Sequence, residues 1–129
     1  MVKSLIAEDA NDETFGQVYT EKEAEYLAEN FLGRLATVSS SGQPHVVPVV
    51  YKFDGDSISF GGWNLESTLY FKNLAANEKM GFVVDEVVSS YPWRVKGIEV
   101  RGEAIPEKTD GGTIMRIKAR VVRSWGLRE

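Results

Sequence analysis

The sequence predicts a mainly β protein, a small six-stranded antiparallel barrel with two or so helices plugging its ends. Three observations carry that expectation. Between Arg34 and Gly62, three runs of strand-forming residues follow one another across two tight turn signals. They are too close together for the helical crossovers that a doubly wound parallel sheet needs. Three further strand runs follow, Lys79–Asp85, Val95–Ile105 and Thr113–Ser124, with glycines at 97 and 102 placed to let the sheet curl as bulges. Only two stretches repeat apolar residues at helical spacing.

In chain order, residues 1–19 lack periodicity and read as a partly ordered arm ahead of a single domain, 20–129. Thr20 and Glu23 have capping-box spacing. Ala24, Leu27, Ala28 and Phe31 continue as a helical stripe, with Gly33 as a plausible stop. The first strand alternates Leu35, Thr37 and Ser39 with Ala36, Val38 and Ser40. Ser40-Ser41-Gly42-Gln43 and Asp54-Gly55-Asp56 are turn chemistry, because glycine tolerates positive φ and Asp or Ser bonds the local backbone. The long middle strand, Pro44–Phe53, contains Pro48, which implies an edge, a bulge or an opening in the pairing.

The third strand ends in Phe60-Gly61-Gly62-Trp63-Asn64, where two glycines permit close backbone approach. Asn64 or Ser67 is placed to cap a helix over about 66–77, whose N-terminal amides suit an anion; a junction without a ligand is the plainer reading. Lys79–Asp85 reads as a buried strand and Val87–Arg94 as a loop. Its Tyr91-Pro92-Trp93 suggests a partner surface or a ligand lid, with Trp93 packing on the barrel end as the alternative. After a polar turn at Glu107–Gly112, the last strand puts Met115, Ile117, Ala119 and Val121 on one face. Arg116, Lys118 and Arg120 occupy the other, either to grip an anion or as a solvated, edge-protecting row.

Composition narrows the function. A net charge of −4 argues against broad nucleic-acid binding. No apolar run has the length to span a bilayer and the N-terminus lacks a signal peptide's apolar core, so the expected location is cytoplasmic. The chain has no cysteine and one histidine, His45. Thiolate catalysis and a multi-histidine metal site within one chain are therefore excluded, and no metal is expected. With so little acid–base machinery, an enzyme on this chain would borrow a cofactor to carry the chemistry.

The run LATVSSSGQPHVVPVVYKFDGDSISFGGWN, followed by KNLAANEKMGFVVDE, resembles the signature of the pyridoxamine 5′-phosphate oxidase-like split β-barrel proteins. GIEVRGEA and the terminal RIKARVVRSWGL resemble a branch that uses flavin or the deazaflavin coenzyme F-420. The similarity spans about residues 20–127. It implies a six-stranded antiparallel split β-barrel, a homodimer, and a cofactor, FMN or F-420, at the subunit interface. His45, Val46, Val47, Pro48 and Val49 match the strand that lines the cofactor ring. Gly61, Gly62, Trp63 and Asn64 match the stretch near the ribityl and phosphate. Trp93, with Arg101 or Trp125, would come from the partner subunit.

The resemblance also shows a departure. Two positions where the family commonly carries cations for the phosphate are Thr68 and Tyr70 here, while Lys72 keeps a basic residue and Ser67 and Thr68 can donate hydrogen bonds. The expected function is hydride transfer between the bound deazaflavin or FMN and a small organic substrate. His45 is the candidate proton donor, because histidine exchanges protons near neutral pH; a surface histidine beside a turn is the alternative. A non-catalytic carrier of the same cofactors is the second functional reading, favoured by Thr68 and Tyr70.

Overall fold

Ser39 and Asp54 organise the two turns that start the barrel. The Ser39 hydroxyl accepts the Gln43 amide at 3.0 Å, and Asp54 Oδ1 accepts the amides of Asp56 and Ser57, both at 2.9 Å. Gly42 and Gly55 complete these turns at φ +92° and +98°. The computed structural model describes residues 2–6, as backbone, and 18–127. Across the turns, β2 (Leu32–Val38), β3 (Pro44–Phe53) and β4 (Ile58–Gly61) pair antiparallel in sequence order.

The remaining strands close the ring. β5 (Lys79–Ser90) pairs with β2 and with β6 (Trp93–Thr109), and β7 (Gly112–Trp125) pairs with both β6 and β4. The order β7-β4-β3-β2-β5-β6, joined again at β6–β7, is a closed six-stranded antiparallel barrel. Of the arm expected over 1–19, residues Val2–Ile6 form β1, which pairs outside the ring with Val121–Trp125 of β7. The rest of that expectation, apart from Val18 and Tyr19, lies outside the described residues.

Leu35, Ile58, Phe82, Ile98, Val100, Met115 and Val122 fill the barrel, each almost wholly buried. Burial of one such side chain contributes about 1.5–3 kcal/mol. α1 (Glu21–Glu29) and α2 (Leu69–Ala76) sit at opposite ends of β3. On the α1 side, the Tyr51 hydroxyl donates to the Leu27 carbonyl at 2.8 Å, and buried Glu23 accepts from the Thr20 amide and the Ser124 hydroxyl. On the α2 side, Asn73 donates to Thr37. No helix among the described residues is long and apolar enough to cross a membrane.

Several boundaries differ from the sequence reading. α1 carries its capping box but ends at Asn30, not Gly33. Gly33 lies in β2 beneath Phe82, where a Cβ would stand 2.2 Å from the ring. α2 is capped by Thr68 and not by Asn64 or Ser67. The expected loop at Val87–Arg94 is mostly the paired end of a long β5–β6 hairpin, with Tyr91 and Pro92 at its tip. Most of the expected turn at Glu107–Gly112 is paired too, and only Asp110 and Gly111 turn.

Gly102 sits beside a register shift in the β6–β7 pairing, because a Cβ there would stand 2.0 Å from the Lys118 carbonyl. The shift skips Arg120, so the inward face runs Met115, Ile117, Ala119 and then Val122 and Ser124, not Val121. Gly97 is no bulge; its missing Cβ makes room for Trp125.

Candidate functional site

Pro48 marks a bare strand edge. The Tyr51 amide donates to the Phe31 carbonyl at 2.9 Å, which faces Tyr51's backbone groups toward β2. Backbone groups of alternate residues point the same way in an antiparallel strand, so those of His45, Val47 and Val49 also face β2. Those of Val46, Pro48 and Val50 point away. β4 reaches only Tyr51–Phe53, so no strand pairs with that side of residues 46–50 among the described residues. Proline sits where its missing N–H costs no ladder bond, and of the three sequence readings the edge holds.

The edge stays open because β4 stops. Gly61 and Gly62 adopt φ +118° and +129°, and the Leu65 amide bonds the Gly62 carbonyl at 3.1 Å. Leu65 anchors this turn in the core, while Trp63 stands 94% exposed and Asn64 takes a left-handed conformation at φ 64°. A single 3-10 turn, Leu65–Ser67, leads into α2. The Ser67 hydroxyl donates to the Asn64 carbonyl at 3.0 Å.

The two positions that lack the expected cations are used structurally. Thr68 Oγ1 accepts the Phe71 amide at 3.2 Å and donates to the Leu65 carbonyl at 2.7 Å, which is the cap of α2. The Tyr70 ring packs edge-on against Phe60 with centroids 5.6 Å apart, and burial raises its hydroxyl pKa. Lys72 is exposed on α2.

His45 lies at the other border of the edge. Its residue is half-buried, and its Nδ1 is buried with no hydrogen-bond partner among the described residues. It pairs across the sheet with Thr37, whose hydroxyl accepts from Asn73 at 3.0 Å. Beside it Val49 is buried and Val47 half-buried, while Val46 and Val50 project outward, 65% and 63% exposed.

The fold thus brings His45–Val50, Gly61–Asn64 and Ser67–Tyr70 around one open edge. It does not bring Trp93, Trp125 or Arg101 there within one chain. Trp93 and Trp125 line a cavity of about 620 Å³ between α1 and the β5–β6 hairpin. Arg101 is exposed on β6 and bonded to Glu99 at 2.8 Å. Both arginines of the basic row on β7 are held by acids: Arg116 by Asp54 at 3.4 Å and by Glu107, and Arg120 by Glu103 at 3.0 Å. These ion pairs occupy Arg116 and Arg120, which is closer to the solvated-face reading than to an anion grip.

Sequence reasoning missed Tyr26, Arg94 and Lys96 of the cavity, and the Asn73–Thr37 bond beside His45. Gly97 and Gly126 flanking Trp125 were the available signal for the cavity.

The closed ring of six antiparallel strands with two helices defines a small, mainly β, barrel domain. Residues 19–125 match the pyridoxamine 5′-phosphate oxidase family, and the chain belongs to it. It is 34% identical over 119 residues to the 5a,11a-dehydrotetracycline/5a,11a-dehydrooxytetracycline reductase of Streptomyces rimosus, covering 84% of each chain. A conserved hypothetical protein of Mycobacterium tuberculosis shares its fold with a TM-score of 0.70 at 21% identity, over 86% of this chain and 87% of that one. An F420 reductase shares it with a TM-score of 0.60 at 20% identity, over 76% and 94%.

Proposed function

We propose that the protein is an oxidoreductase that moves a hydride between a bound F-420 or FMN and a small organic substrate. The observation that carries this is the bare edge of β3 beside an unpartnered, buried His45 nitrogen. The carbonyls of Val46, Pro48 and Val50, with the amides of Val46 and Val50, suit the polar edge of a flavin-type ring, and Gly61 and Gly62 leave space for it. The family membership and a reductase relative at 34% identity support the redox reading.

When bound, the ring supplies the hydride chemistry. The chain's residues hold and orient it. Val47 and Val49 give the apolar floor and Trp63 the exposed aromatic cover. Ser67, the free amides at the start of α2 and Lys72 meet the phosphate. His45 is the residue that exchanges a proton with the substrate atom that gains or loses one. The sequence resemblance favours F-420 over FMN.

The assembly in this proposal is a homodimer. The outer face of β2–β3 exposes Leu32, Val46 and Val50, 45%, 65% and 63%, an apolar patch that suits a second copy. That copy would bring its Trp93, Arg101 and Trp125 to the open side of the cradle.

Thr68 and Tyr70 favour one other reading, a carrier that binds the same cofactors without turnover, because neither position offers a cation. Turnover with generic acceptors separates the two. An oxidoreductase shows cofactor-dependent reduction that falls in His45→Gln while cofactor affinity holds; a carrier binds and shows none.

A further inference from the structure

The cavity between α1 and the β5–β6 hairpin is built, not incidental. Trp125 forms part of its wall, and Gly97 seats that indole. A Cβ on Gly97 would stand 2.7 Å from Trp125 Cζ2, so glycine lets the ring lie against β6. Gly126, at φ +69°, turns the chain where a Cβ would stand 2.2 Å from the Val95 carbonyl. Tyr26 and Trp93 add two aromatic walls. The Tyr26 hydroxyl is held by Glu86 at 3.1 Å, and burial and that bond raise its pKa, so it stays neutral. At about 620 Å³ the volume suits a small organic ligand.

The charges in the cavity are segregated. On the α1 side Lys22 lies 3.9 Å from Glu25, and Glu29 adds a second acid. On the β6 side Arg94 has no ion pair among the described residues. Lys96 there lies across the sheet from Glu86 but forms no ion pair among the described residues, and its ammonium lies 5.5 Å from the Tyr26 ring centroid. Aromatic faces beside two cations that form no ion pair among the described residues select a flat ring that carries an acid group. Glu29 on the facing helix disfavours the reverse orientation.

We propose that this cavity holds the substrate, and that the substrate is a planar aromatic anion with its ring against the indoles and its acid group toward Arg94 and Lys96. The ligand class follows from the cavity alone. The inference rests on the oxidoreductase reading only in making that ligand the substrate.

The chain has three tryptophans, so three indole N–H signals in a nitrogen-15 spectrum separate the sites. The full chain without cofactor is titrated with 2-naphthoate and with the neutral 2-naphthamide. The proposal expects saturable shifts of the Trp93 and Trp125 signals by naphthoate, with the amide at least about ten-fold weaker, as a charge-assisted bond requires. Arg94→Gln, an exposed change, should weaken naphthoate and leave the amide as it was. Equal affinity for acid and amide, movement of Trp63 alone, or no saturation by roughly ten millimolar naphthoate overturns it. Naphthoate binding in a protein that takes no flavin or deazaflavin would remove the redox reading and leave the ligand class standing.

Discussion

Asn73 donates its side-chain amide to the Thr37 hydroxyl at 3.0 Å, and both residues are buried. This bond ties α2, which borders the cradle, to the strand residue paired with His45. The only histidine of the chain is therefore positioned through a contact between two elements distant in sequence. Cradle and barrel core are mechanically one unit at that point.

Thr37→Val keeps the shape and removes the acceptor, leaving the Asn73 amide buried without a partner. The expected loss is about 1–3 kcal/mol of unfolding free energy in urea. The His45 ring signals should shift as well. Wild-type stability in this variant would show that the bond does not hold α2.

Gly33 lies under Phe82, not at a helix end. Gly33→Ala should destabilise by about 1–3 kcal/mol, the usual cost of overpacking a filled core. A helix stop would respond differently. Alanine there would leave stability near wild type or raise the helix signal in circular dichroism.

Asp54 carries a lowered pKa, first because the Ser57 amide donates to its carboxylate, with the Asp56 amide and Arg116 adding to the effect. A depressed carboxylate contributes stability above its unfolded pKa and loses it as pH falls through the folded value. The gap in melting temperature between wild type and Asp54→Asn should be constant above about pH 5 and close below the ordinary carboxylate value of 3.8. A gap independent of pH would mean that the charge does not brace the β3–β4 turn.

Local chemistry was legible in the sequence, and long-range contact was not. Ser39-Gly42 and Asp54-Gly55 announced their turns because the turn residues bond their own neighbours. Thr20 and Glu23 announced the start of α1 for the same reason. Gly33 was misread because its role is space for Phe82, on the neighbouring strand β5 but distant in sequence. Thr68 capped α2 in place of Asn64 and Ser67, a choice decided by its bond to Leu65. Val121 left the inward face because Gly102 lets the Lys118 carbonyl close in. Pro48 was legible as a break in pairing, and the stop in β4 at Gly61 shows which kind. Trp93 and Trp125 stood out as aromatics, but Tyr26 and Lys96, which give them a cavity, are distant in sequence or unremarkable in composition.

The most direct test of the redox reading is a parallel titration of the cofactor-free protein with FMN and with F-420, followed by fluorescence and melting temperature. The account predicts saturable binding of one of them, F-420 first. At 100 times the dissociation constant this should add ~2.7 kcal/mol of stability. Binding of neither, up to roughly a millimolar, would contradict it and leave Thr68 and Tyr70 as marks of a barrel that kept its fold without its cofactor.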